Sequence, residues 1–137
     1  MGHWGVKSYE NDDAADALDA GFDRVHGALF EELMADENPL TTDQVEARLA
    51  NAETLDAALA ALSTSVDRPF EEWDEVERLA LAGVVVRHAE LGVAIPEEWR
   101  ARALDWLEHE EVEWEEATAR RLRREKEMAL LGPRAGG

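Results

Sequence analysis

Four aspartates, Asp12, Asp16, Asp19 and Asp23, are the first residues whose type and spacing could do chemistry. Spaced i, i+4, i+7 and i+11, they fall within about 60° of one another on a helix. Like charges so placed disfavour a helix by roughly 0.2–0.5 kcal/mol per pair. One reason to tolerate that cost is a docking strip for a basic partner, and another is a weak divalent-cation site. The plainer reading is a solvated face in an acidic protein.

A second constellation is His109-Glu110-Glu111-Val112-Glu113, which follows the zinc-protease spacing H-E-x-x-H up to its last position, where Glu113 replaces the second histidine. His109 and Glu113 at i, i+4 could share a cation, with Asp105 one turn earlier. Three ligands on one helix do not readily surround a metal, and a catalytic zinc needs a compact set of three plus an open position. Glu110 projects near the Trp106 and Trp114 face, where it either is buried among the side chains or bends to the rim, the simpler outcome. None of His26, His88 and His109 has a glutamate three residues before it, so the Glu-x-x-His pairs of di-iron bundles are absent. No G-x-S-x-G and no glycine-rich phosphate loop occurs. Enzymatic chemistry has no motif to stand on, and no cofactor is expected. A metal-dependent hydrolase or cation-binding protein built on the clustered Asp, Glu and His remains the alternative.

Composition narrows the class of partner. The 137 residues hold 32 Asp plus Glu against 14 Lys plus Arg, a formal net charge of −18, with 45% hydrophobic residues and five Trp. That apolar content is enough for a folded core. The charge argues against nucleic acid, which needs a Lys/Arg footprint on phosphates, and against an anionic membrane surface. Basic, cationic or uncharged partners remain. Zero cysteines remove disulfides, Cys-ligated metals and thiol nucleophiles. No signal-peptide core or membrane-length apolar run is seen, so a cytoplasmic protein is expected.

The elements that would position these residues are helical. Asn11 is a good N-cap type before Asp12 and Asp13. Leu18, Phe22, Val25, Leu29 and Leu33 then recur at helical spacing, predicting a first helix over residues 12–35. Thr41 and Gln44 offer a capping box. Beyond it Asn51 either breaks the chain into two helices or leaves one bent helix over 42–62. Leu79 to Val86 is uncharged for two turns, which predicts a central helix over about 72–91, buried all round, with Gly83 letting a neighbour approach and Gly92 as the stop. Pro96 and Glu97 open a last helix that nothing breaks before Gly132-Pro133; unbroken over 97–131 it would run about 50 Å. Residues 1–10 read as an extended arm in which Trp4 either packs on the core or is an exposed binding anchor, and 132–137 read as a flexible tail.

Trp4-Gly5, then Tyr9-Glu10-Asn11-Asp12, Ala14 and Asp16 resemble the opening pattern W-G-x-x-x-F-[E/D]-N-D-x-A-x-D of a bacterial family, domain of unknown function family 4259, with Tyr9 in place of Phe. Leu79 to Ala94 and Ile95-Pro96-Glu97-Glu98 are similar in placement to its later helices. The resemblance implies a small, mostly helical bacterial domain and brings no catalytic residues with it.

The expectation is therefore a single all-α domain, a bundle of four to five helices with a short N-terminal arm and a long C-terminal helix. Its function would be non-enzymatic docking of a basic protein partner. The interaction candidates are Trp4, Asp12, Asp16, Asp19, Asp23, His109, Glu110 and Glu113. Residues 10–37 hold ten acids and one base, 97–116 nine and two, and 120–127 two acids and five bases. That last reversal suggests a homo-oligomer in which the C-terminal helix meets the acidic face of a second copy. A third reading makes the acidity a solvation habit of an acidic proteome.

Overall fold

The helix signals of the sequence become seven α-helices in the computed structural model, which describes residues 7–35, 37, 39–110 and 117–132. They are α1 (Asp12–His26), α2 (Ala28–Met34), α3 (Thr42–Leu49), α4 (Ala52–Val66), α5 (Glu75–Glu90), α6 (Glu97–His109) and α7 (Ala117–Leu131), with a 3-10 turn at Phe70–Glu72. No strand occurs among the described residues, and none of their helices is long and apolar enough to cross a membrane. The chain is all-α.

Local chemistry accounts for most boundaries. Asn11 caps α1 by accepting from the Ala14 N–H at 2.9 Å, while its side-chain amide donates to the Ser8 carbonyl at 2.6 Å, so one residue starts the helix and ties down the segment before it. Reciprocal capping boxes open α3 (Thr41 with Gln44), α4 (Asn51 with Thr54) and α5 (Asp74 with Glu77). Asn51 thus divides 42–62 into two helices. At the end of α5 the Gly92 N–H reaches the Ala89 carbonyl and the Val93 N–H the His88 carbonyl, the paired bonds of a Schellman stop.

α5 is the axis. Every residue from Leu79 to His88 is buried, and α1, α4, α6 and α7 all pack on this helix. Two glycines allow the closest approaches. A Cβ on Gly83 would meet the Ser8 carbonyl and lie 2.8 Å from the Tyr9 Cα, and a Cβ on Gly21 would lie 2.8 Å from the Ala58 Cβ and the Thr54 carbonyl of α4. The neighbour that Gly83 admits is therefore the N-terminal segment itself. Leu55, Leu59 and Leu62 of α4 with Leu18 and Phe22 of α1 complete the core.

Three expectations are corrected. The first helix does not run over 12–35: Gly27, at φ 54°, breaks it into α1 and α2, and the redirected chain buries Phe30 while Leu29 is left 47% exposed. The last helix is not continuous over 97–131 either. It stops at His109, because Glu110 is extended (ψ 129°) and swings its carboxylate to Arg120 of α7. With these breaks the four to five helices expected become seven. Within the expected tail only Gly132 is described, closing α7 with its N–H on the Met128 and Ala129 carbonyls.

Candidate functional site

Several bases are drawn inside, while Arg24, Arg48, Arg68, Arg121 and Lys126 stay exposed and a row of aspartates stands on α1. Arg120 and Glu127 of α7 are fully buried. Arg120 donates to Glu110 at 2.7 Å, to Glu127 at 3.1 Å and to the Ser8 hydroxyl at 3.1 Å. Glu127 also accepts the Ser8 N–H at 2.8 Å, the Ser8 hydroxyl at 2.5 Å and Arg123 Nε at 3.1 Å. Arg123 reaches on to Glu90 at 2.7 Å, and Arg124 donates to the Glu110 carbonyl at 2.9 Å. Buried charge is tolerated only when so paired. The cluster clips the N-terminal segment and α7 onto the end of α5.

Beside it, Arg87 donates to Glu46 and to Asp43 of α3, each at 2.7 Å. The Tyr9 ring sits between Arg87 and Arg123, 5.3 and 5.9 Å from their guanidinium carbons. Burial first, and then the hydrogen bond to Glu90, push the Tyr9 phenol above its ordinary range. Burial also pushes the Glu46 carboxyl up, outweighing the Arg87 bond that pulls it down, and nearby Asp19 and Asp43 add to the rise. Burial alone would lower the Arg87 pKa, but its bond to Glu46 raises it and holds it cationic.

The acidic face is α1. Asp12, Asp13, Asp16, Asp19 and Asp23 are all exposed, and none is paired with a basic side chain among the described residues. Partial burial, followed by repulsion from Asp16, raises the Asp13 and Asp19 carboxyls. Asp19 stands at the junction of two open clefts. One, of about 320 Å³, is bounded by Tyr9, Leu18, Met34, Asp43, Glu46 and Arg87. The other runs past Asp23, Phe30 and Glu31 and shares Asp19 and Met34 with the first.

The second constellation does not assemble. His109 is exposed, and its Nδ1–H donates to the Asp105 carbonyl at 2.8 Å, with the Asp105 carboxylate 3.4 Å away. Glu110 is turned the other way and lies buried against Arg120, so as an interaction candidate it is corrected: its carboxylate is engaged inside the chain and not at a rim. Glu113 and Trp4 lie outside the described residues. Among the described residues no group of three or more His, Asp or Glu side chains could hold a metal.

Sequence reasoning missed the buried cluster. Its signal was present, because Arg120, Glu127 and Leu131 at i, i+7 and i+11 share one helical face with Arg123 beside it. A buried Leu131 on that face marks it as inward. His88 was also unassigned. It is buried, stacked on Phe22 at 5.9 Å, and donates from Nδ1 to the Val84 carbonyl at 3.0 Å, while its Nε2 lies 3.0 Å from the Thr54 hydroxyl, whose proton it shares with the Asn51 carbonyl at 2.8 Å. No family model, curated protein or solved structure matches this chain.

Proposed function

We propose that this protein is a non-enzymatic interaction module whose α1 face docks a basic protein partner. The observation that carries the reading is the sorting of charge. Arg87, Arg120, Arg123 and Arg124 are bonded within the chain, while five aspartates of α1 are exposed and unpaired. A face of five aspartates against the single exposed base Arg24 steers an oppositely charged partner and sets the orientation of encounter. The raised Asp13 and Asp19 carboxyls add to this, since a cation placed beside them would offset their partial burial and the repulsion each meets from Asp16.

The reading takes the protein as cytoplasmic and as a relative of family 4259 through its opening motif. The Asn11 bonds to Ala14 and Ser8 supply a physical reason for the Asn-Asp in that motif. Self-association through the C-terminal helix has less behind it, because three of the five bases in 120–126 are engaged inside and Arg121 and Lys126 alone are exposed. The cation-binding alternative has no supporting cluster among the described residues.

The test is affinity for basic proteins and peptides as ionic strength rises. Screening shortens the range of exposed charges to about 8 Å at physiological salt, so binding should weaken steadily through that range. Salt-independent binding, or none, contradicts the reading.

A further inference from the structure

We propose that the groove between α1, α2 and the start of α3 receives an amphipathic basic helix of the partner, apolar side down on Leu18, Phe30 and Met34, with its Lys or Arg side chains against Asp19, Asp23, Glu31 and Asp43. This deepens the docking reading and rests on it.

The two clefts that meet at Asp19 and Met34 form one trough. Its floor is apolar, and Met34 is 37% exposed within it, an unbranched side chain able to adapt to a neighbouring surface. Among the described residues its walls carry Glu10, Asp19, Asp23, Glu31, Asp43 and Glu46 against Arg87, which is already bonded to two of those acids. From Ala15 to Asp23 the α1 wall extends about 12 Å at 1.5 Å per residue, room for roughly two turns of helix. An apolar strip between acidic walls is what a helix with an apolar face and basic flanks complements. This chain's own basic helix, α7, packs on α5 and α6, and most of its arginines are engaged there. α7 is thus not free to fill the trough, and the occupant proposed is a helix of another protein.

The probe is a synthetic leucine/arginine peptide with Leu at helical spacing, compared with a scrambled peptide of the same composition, by fluorescence anisotropy at physiological salt. The amphipathic peptide should bind about tenfold tighter than the scramble, a difference of roughly 1.4 kcal/mol. Met34→Glu should remove that preference although it adds a negative charge, and Asp19→Asn with Asp23→Asn should weaken the amphipathic peptide as well. Asp12→Asn with Asp16→Asn, outside the trough, should leave the preference intact. Circular dichroism melts check that each variant is folded. If the two peptides bind equally and Met34→Glu strengthens both, the groove is overturned while the basic-partner reading stands. If neither peptide binds, both fall. If the protein forms a dimer that Met34→Glu dissociates, the occupant is a second copy and the proposal is wrong.

Discussion

His88 shows how a single side chain can carry two constraints at once. It fills the core against Phe22 and links α5 to Thr54 of α4 through one hydrogen bond. Burial, with Arg87 nearby, lowers its pKa, partly opposed by the Val84 carbonyl. The folded protein thus keeps the ring neutral, whereas the unfolded chain takes up a proton in the ordinary histidine range. Stability from this group is present above that range and lost as pH falls through it toward the depressed folded value. Denaturant unfolding of the wild type minus His88→Gln, followed from pH 8 to pH 5, should show that loss; a difference flat with pH would refute it. The raised carboxyls of Asp13, Asp19 and Glu46 act with the opposite sign, so the subtraction is needed. At this scale the sequence was partly readable. Asn11 and the Thr41 and Gln44 box were visible because capping depends on adjacent residues. The meeting of Ser8 with Arg120 and Glu127 was not, because it spans sequence separations of 112 and 119, and neither was that of Arg87 with Glu46, across 41.

Helices end where backbone conformation or a distant contact outweighs local propensity. Gly27 lies inside the helix predicted over 12–35, and its positive φ makes it a break. Glu110 gave no local signal. A glutamate in a run of helix formers extends here as its carboxylate reaches Arg120 of α7, a contact between helices that periodicity cannot see. The central helix was the clearest element, since a segment apolar on every side has no stable place but the middle. Gly83 marks where the N-terminal segment lies on it. Gly83→Ala should push the Ser8 and Tyr9 backbone off α5, loosen the Ser8 bonds to Glu127 and cost about 1–3 kcal/mol, read as a lower denaturant midpoint. An unchanged midpoint would mean that the segment contributes nothing to the fold.

For the whole molecule, a net charge of −18 is less informative than where the charge lies. The sequence placed ten acids within residues 10–37 but did not show that the bases of α7 turn inward to meet Glu90, Glu110 and Glu127. It is this inward turn that leaves α1, with Arg24 as its exposed arginine, a strongly acidic surface beside an apolar trough. Long-range attraction depends on total charge and on its location alike, and only the second distinguishes a docking face from general acidity. The most direct measurement compares two variants of equal net charge. One carries Asp12, Asp16, Asp19 and Asp23 as Asn; the other neutralises the exposed Glu53, Asp56, Glu71 and Glu72. Affinity for the amphipathic leucine/arginine peptide at physiological salt should fall about tenfold or more in the first and change little in the second. Equal losses in the two would show that the acidity is a property of the whole surface and contradict a docking face on α1.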